Sequence, residues 1–150
     1  DGFLHGEIRE KGGAYGSGAG YDPDACVFRF FSYRDPRTLA TLADFDAALN
    51  WFAGDRDPQR LEESILGTIR ALDQPRSPSG EAERAFFNVL YGRDDSFRAT
   101  LRDQVLAVTH EALQRVAAAY LDPSRACLGV ISNPANQAEF EQAGLKFGKL

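Results

Sequence analysis

Two adjacent glycines near the start of the chain, Gly12 and Gly13, restrict the fold more than any other feature of the sequence. Before them, Leu4 and Ile8 lie four residues apart and would share one face of a helix over residues 3–11. Glycine readily adopts the left-handed backbone that helix ends commonly need, so we expect this pair to stop the helix. Residues 14–21 then carry little side-chain bulk, which predicts a strand that another backbone can approach closely.

A second strand is predicted to follow and to form an antiparallel hairpin with the first. Residues 22–24, with Pro23 at their centre, are typical of a turn. Residues 25–33 are rich in aromatic side chains that alternation would place on both faces, which predicts a strand covered on both sides. Cys26 and Cys127 lie in apolar runs and are expected to be reduced cysteines of the core.

The rest of the chain is predicted to be mainly helical, because apolar residues recur at three- and four-residue spacing. Helix starts are predicted at the capping residues Asp35, Asp57, Ser79, Asp94 or Asp95, and Thr109. The apolar run 126–131 predicts a buried strand, and a short helix is expected around Phe140. Together these elements predict an α+β fold in which helices are layered on a mostly antiparallel sheet.

Length and charge narrow the class of protein. A chain of 150 residues with a net charge of −5 predicts one globular domain, and it argues against nucleic acid as a partner. A segment that could span a membrane is not expected either, since the sequence holds no apolar run of about 20 residues. The sequence contains no methionine, which favours a piece of a longer protein, and we expect that protein in the cytoplasm.

Three motifs resemble the insulinase-like (M16) zinc metallopeptidases, and most closely their presequence-protease branch. The first motif, residues 4–16, ends in the run Arg9-Glu10-Lys11-Gly12-Gly13-Ala14-Tyr15-Gly16. The second, residues 30–36, is similar to a strand-to-helix junction of that branch, and the third spans residues 101–121. The resemblance implies that residues 1–150 form a single C-terminal domain fragment of a larger peptidase, incomplete at its N-terminal side.

The resemblance also implies roles for residues of the first motif. In that family an arginine and a tyrosine of the C-terminal half reach the zinc site of the N-terminal half, and the matching residues are Arg9 and Tyr15. A tyrosine hydroxyl can donate to a developing oxyanion, and an arginine can hydrogen-bond a substrate carbonyl. The glycine-rich backbone would bind the peptide substrate, with the expected contacts at Gly12, Gly13, Ala14 and Gly16. From the residues alone, Tyr15 could equally be a core tyrosine and Arg9 a solvated helix residue.

The zinc site of the family, an inverted His-x-x-Glu-His helix, has no counterpart in this sequence. Only His5 and His110 are present, far apart and without a second histidine at ligand spacing. The zinc is therefore expected in the N-terminal half of the parent protein, and this chain alone is expected to be inactive. Residues 33–35, including Arg34, are predicted to position the following helix.

Two other classes of protein remain open. The same fold serves as a non-catalytic structural subunit in some members of the family, and a self-standing peptide-binding module is a third alternative. The expected partners are the N-terminal half of the same peptidase and a peptide substrate. An exposed sheet edge or helix face would also favour a homodimer, because unpaired strand edges invite pairing with another copy.

Overall fold

The structure, a computed structural model, describes residues 2–148 and combines helices with one small sheet. A π-helix (His5–Lys11) leads into the strands β1 (Gly16–Asp22) and β2 (Val27–Tyr33). The α-helices that follow are α1 (Leu39–Gly54), α2 (Pro58–Asp73), α3 (Pro78–Leu90), α4 (Asp95–Leu106), α5 (His110–Tyr120) and α6 (Gln137–Gln142). The chain forms two compact units, one of residues 2–54 with 117–148 and one of Asp55–Val116. The expectation of a single C-terminal domain stays a prediction.

The predicted hairpin is confirmed. Strands β1 and β2 pair antiparallel, in a register that runs from Gly16 opposite Tyr33 to Asp22 opposite Val27. The carboxylate of Asp22 accepts hydrogen bonds from the two backbone N–H groups at the tip, which belong to Asp24 and Ala25. An aspartate that bonds to the backbone two or three residues ahead stabilises a tight turn, so the turn signal in the sequence has a direct physical cause.

The core of the first unit lies where the π-helix, the hairpin and α1 meet. Ile8 of the π-helix is fully buried, as the sequence pattern predicts for the inward face of this helix. The ring of Phe30 stacks on Phe45 of α1 with centroids 5.3 Å apart. The hydroxyl of Ser17 donates to the Leu4 carbonyl over 3.1 Å and thereby ties β1 to the π-helix. These contacts fix the π-helix relative to the hairpin.

The second unit holds α2, α3 and α4. The carboxylate of Asp73, at the end of α2, accepts hydrogen bonds from Arg98 and Arg102 of α4. Arg98 also donates to the carbonyl of Leu72 over 2.7 Å. One guanidinium therefore binds both a backbone carbonyl at the carboxyl end of α2 and the Asp73 carboxylate. Cations at a helix carboxyl end interact favourably with the helix dipole, which suits this arrangement of α2 and α4.

The predicted helix starts agree with the structure at three positions. The side chains of Asp57, Asp94 and Thr109 accept backbone N–H groups of the first turns of α2, α4 and α5. For α3 the prediction is two residues late, because Ser77 is the capping residue and Pro78 occupies the first turn. Proline suits that position because its missing N–H would have no partner there. The short helix around Phe140 is α6, and Phe140 is buried.

The predicted sheet is larger than the observed one. Within residues 2–148 the sheet has two strands, which are antiparallel as predicted, but the sheet is smaller than expected and helices predominate. The run 126–131 is extended but unpaired, and Ile131 is 88% exposed. A strand needs a neighbour for its backbone hydrogen bonds, and the described residues provide none for this run. For the same reason β2 is not covered on both faces, since Phe31 and Tyr33 are both about half exposed.

Two local predictions are also wrong. Cys26 and Cys127 are exposed free thiols and not core residues. Cys26 has a φ of +54° and stands in the hairpin turn, where its thiol lies 3.6 Å from the Pro23 carbonyl. Helix α1 begins at Leu39 and not at Asp35, since the Asp35 carboxylate binds groups of neighbouring elements. Among the described helices, none is both long and apolar enough to cross a membrane.

Candidate functional site

The turn between the π-helix and β1 needs both glycines, for different reasons. Gly13 has a φ of +79°, which side chains with a Cβ rarely adopt. Gly12 has an ordinary backbone, but a Cβ there would lie 2.4 Å from the Ile8 carbonyl oxygen and 2.1 Å from the Arg37 guanidinium. The Gly13 N–H donates to the Arg9 carbonyl over 3.0 Å. The predicted helix stop at Gly12 and Gly13 is therefore confirmed, and it fixes the direction in which β1 leaves the π-helix.

Tyr15 is held at its backbone and its ring while its side chain stays exposed. Its N–H donates to the Arg34 carbonyl over 3.4 Å. Its ring meets the Tyr33 ring edge to face at 6.0 Å, and the Arg34 guanidinium lies 5.7 Å from its centroid. The side chain is 68% exposed, so Tyr15 is not a core tyrosine of this chain. Its hydroxyl is open to a second molecule or to another part of a longer protein.

Arg9 lies on the outer face of the π-helix, one residue beyond the buried Ile8. Its side chain is exposed, and its Nη1 lies 3.5 Å from the Nε2 of His5 on the same helix. A π-helix of this length is rare, and π-helical turns occur frequently at functional sites. Arg9 and Tyr15 therefore stand at the two ends of one constrained turn, both exposed. Their assignment as site residues stays a prediction.

Part of the backbone that is expected to bind substrate already forms hydrogen bonds or strand pairs within this chain. The N–H of Ala14 donates to the Ile8 carbonyl over 3.1 Å, and the Ala14 side chain is buried. Gly16 pairs with Tyr33 in the hairpin, on the side of β1 away from its outer edge. A substrate contact along this stretch would therefore use the outer edge of β1 and the exposed backbone of Gly13. The expected contacts at Gly12, Gly13, Ala14 and Gly16 stay predictions.

A carboxylate at the end of β2 ties the site to α1. Asp35 accepts hydrogen bonds from the Ser32 and Thr41 hydroxyls, each over 2.5 Å, and from the Arg37 N–H over 2.9 Å. Thr41 is buried, so the hydrogen bond between the Asp35 carboxylate and α1 lies in the protein interior. Burial alone would raise the pKa of Asp35, but the three hydrogen bonds outweigh it and hold the pKa below its ordinary value of 3.8.

Arg37 performs a similar function for the π-helix. Its Nη2 donates to the Glu7 carbonyl over 3.1 Å and to the Asp44 carboxylate over 2.7 Å. One guanidinium thus binds a carbonyl in the first turn of the π-helix and a carboxylate of α1. The guanidinium also packs over Gly12, where the Ile8 carbonyl oxygen is the backbone atom that excludes a side chain. Together, Asp35 and Arg37 hold both sides of the turn that presents Tyr15.

We expect Asp35→Asn to destabilise the purified chain by about 2 kcal/mol at neutral pH, because charge-assisted hydrogen bonds are lost. A lowered pKa in the folded state adds stability above the ordinary pKa of 3.8 and loses it as the pH falls further. The difference between variant and wild type should therefore shrink between neutral pH and about pH 3. Chemical denaturation at both pH values measures it, with Asp46→Asn on the exposed face of α1 as the control. An equal effect at both pH values would contradict this assignment.

The histidines do not form a metal site with their neighbours. The Nδ1 of His5 lies 3.6 Å from the Glu10 carboxylate, and His110 begins α5. Among residues 2–148, no group of three or more histidine, cysteine, aspartate or glutamate side chains could hold a metal ion. The described residues therefore do not fit a zinc centre, and zinc chemistry would need ligands from elsewhere in a longer protein.

Sequence reasoning missed the residues that hold Tyr15. Arg34 was assigned no contact with the site, although its guanidinium lies over the rings of both Tyr15 and Tyr33. Asp35 was assigned to a helix cap, and its link to Thr41 was not foreseen. The sequence did contain one signal. Two polar residues, Ser32 and Asp35, flank Arg34 within two positions at the end of an aromatic strand, which indicates a network of side-chain hydrogen bonds.

Arg9 and Tyr15 are thus both exposed, on either side of the glycine turn between the π-helix and the hairpin. The PreP C-terminal domain family matches residues 1–129. The chain belongs to this family. The resemblance to the presequence-protease branch is thereby confirmed.

Named relatives agree with the family. The chain is 41% identical over 137 residues to the mitochondrial presequence protease of Xenopus tropicalis, a match of 90% of this chain and 13% of that protein. It is 38% identical over 136 residues to the mouse protein of the same name, covering 89% and 13%. For the Saccharomyces cerevisiae protein the identity is 39% over 120 residues, covering 79% and 12%. The chain thus spans about an eighth of the length of these relatives.

The expected cellular location is corrected by the same relatives. A cytoplasmic location was expected from the sequence. The relatives from frog, mouse and yeast are all named as mitochondrial proteins, which contradicts that expectation. A targeting segment is a separate part of a protein, so a stretch equivalent to an eighth of these relatives does not reveal it.

Proposed function

We propose that this chain is part of the C-terminal half of a zinc-dependent peptidase that degrades peptides in a chamber closed by an N-terminal half. The family match and the names of the relatives support the peptidase class. In this proposal the zinc ligands belong to the N-terminal half, since the described residues offer no set of ligands. The zinc would supply a Lewis acid and an activated water in that half.

One observation carries the role of this chain: Tyr15 is fixed at its backbone and ring, while 68% of the side chain remains exposed. A structural tyrosine normally buries its ring and satisfies its hydroxyl inside the protein. A hydroxyl presented on a rigid support instead suits a donor to a developing oxyanion. Arg9, at the other end of the same turn, has donors that suit a substrate carbonyl.

The test compares the full-length parent with this chain alone. We expect the parent to cleave a fluorogenic peptide, to lose that activity on chelation and to regain it when zinc is added. The 150-residue chain should neither cleave the peptide nor retain zinc after dialysis. Metal analysis and the peptide assay on both proteins measure this.

Two results would contradict the proposal. Stoichiometric zinc in the isolated chain that survives mild chelation would mean that the metal site lies here. A parent that is folded and loaded with zinc but inactive on a panel of peptides would favour the alternative, a non-catalytic structural subunit.

A further inference from the structure

Arg34 has a backbone conformation that arginine rarely adopts. Its φ is +48°, in the left-handed region where a Cβ is crowded by the backbone. Residues held in such conformations persist only where the surrounding structure fixes them, and they cluster at functional sites. In this chain the carbonyl of Arg34 accepts the Tyr15 N–H, and the next residue is Asp35. The three hydrogen bonds to the Asp35 carboxylate therefore anchor the strained residue from its carboxyl side.

The side chain of Arg34 is directed at two aromatic rings. Its guanidinium carbon lies 5.7 Å from the centroid of Tyr15 and 5.4 Å from that of Tyr33. Both distances fall within the roughly 6 Å range of cation–π attraction. Arg34 is exposed, and among residues 2–148 its guanidinium has no carboxylate partner, so the two rings are the contacts that its charge makes within the described part of the chain.

We propose that Arg34 is a positioning residue for Tyr15: it holds the Tyr15 ring against Tyr33 and so fixes where the hydroxyl points. This inference rests on the proposed function, in which that hydroxyl contacts the substrate. The left-handed backbone conformation of Arg34 directs its side chain towards Tyr15, just before the start of β1. The positioning acts through the charge of the guanidinium and through its planar shape, which can stack on an aromatic face better than an ammonium group can.

The test is a double-mutant cycle in the full-length peptidase with the variants Tyr15→Phe, Arg34→Asn and the pair of them together. Asparagine tolerates a positive φ, so Arg34→Asn removes the guanidinium and leaves the backbone conformation accessible. We expect Arg34→Asn to lower kcat by about 10-fold with little change in KM, since a misplaced group impairs the reaction and not binding. In the Tyr15→Phe background the same change should have almost no further effect, because the hydroxyl it positions is gone.

Two further variants protect the test against loss of structure. Arg34→Lys keeps the charge and the long side chain, and should show a smaller loss of kcat than Arg34→Asn. Arg29→Asn removes an exposed arginine of β2, the strand that ends just before Arg34, where Arg29 lies opposite Gly20 in the hairpin register. This variant should leave kcat and the melting temperature unchanged.

The outcomes separate this inference from the function on which it rests. A loss from Arg34→Asn that is fully additive with Tyr15→Phe, or that appears as a raised KM, would mean that Arg34 acts on the substrate directly, and would overturn the inference alone. Wild-type kcat in Arg34→Asn would overturn it as well. Normal turnover of Tyr15→Phe itself would overturn both the proposed function and the inference.

Discussion

We expect Tyr15→Phe in the intact peptidase to lower kcat/KM by roughly 10² or more and to leave the melting temperature close to that of the wild type. The substitution removes one hydroxyl and keeps the ring that meets Tyr33 and lies under Arg34. Because the Tyr15 side chain is largely exposed, removing its hydroxyl should leave no buried hydrogen-bond partner unsatisfied. The predicted loss therefore belongs to the transition state, where an oxyanion would gain a donor.

A matched control is available in β1, the strand that follows Tyr15. Tyr21 is 61% exposed, similar to Tyr15, but lies towards the opposite end of β1 beside the hairpin turn. Tyr21→Phe should change neither kcat/KM nor stability. The measurement is steady-state kinetics with one peptide substrate, together with thermal unfolding of each variant. Near-normal turnover in Tyr15→Phe, or a stability loss of about 1 kcal/mol in place of a kinetic effect, would contradict the assignment.

Elements with local causes could be predicted from the sequence. Asp57 and Asp94 cap their helices with their own side chains, and the Asp22 carboxylate binds the two N–H groups beyond it. Each of these interactions joins residues no more than three positions apart. The left-handed glycine after the π-helix, Gly13, is local in the same sense. Short-range chemistry of this kind leaves its signal in the residue types and their spacing.

Burial that depends on a distant partner was predicted wrongly. The run 126–131 and the aromatic strand β2 have the composition of buried strands, but burial requires other strands or helices to cover them. Residues 2–148 supply a two-stranded sheet, so both segments stay largely exposed. The chain spans about an eighth of the length of its relatives. The apolar pattern therefore indicates a surface to be covered without identifying what covers it.

The candidate site divides in the same way. Arg9 and Tyr15 could be selected from the sequence, because a family motif marks them and glycines separate them. The residues that support Tyr15 could not be selected from the sequence, because their hydrogen bonds join distant residues. Thr41 of α1 donates to Asp35, and Arg37 donates to the Glu7 carbonyl. These hydrogen bonds depend on how α1 packs against the π-helix and the hairpin. Single polar residues at such positions resemble ordinary helix caps until the packing is known.

We expect Arg9→Lys in the intact peptidase to lower kcat/KM by about 10-fold, although the positive charge is retained. An arginine presents a rigid fork of donors that can meet a carbonyl and a second acceptor together, whereas lysine presents one flexible ammonium group. The π-helix fixes the backbone of Arg9 just before the turn, so the geometry of the fork is what the substitution changes. Its guanidinium lies 3.5 Å from the His5 ring on the same helix, and losing that exposed contact should affect stability little.

Kinetics can separate the roles still open for Arg9. If the guanidinium binds a substrate carbonyl equally in the ground and transition states, Arg9→Lys should raise KM and leave kcat unchanged. If the contact forms only as the carbonyl becomes an oxyanion, kcat should fall while KM stays constant. Arg29→Lys, an exposed arginine of β2, is the control for the chemical change itself. Wild-type values of both kcat and KM for Arg9→Lys would mean that Arg9 is a solvated surface residue of the π-helix. Of the two residues proposed here, Tyr15 alone would then contact the substrate.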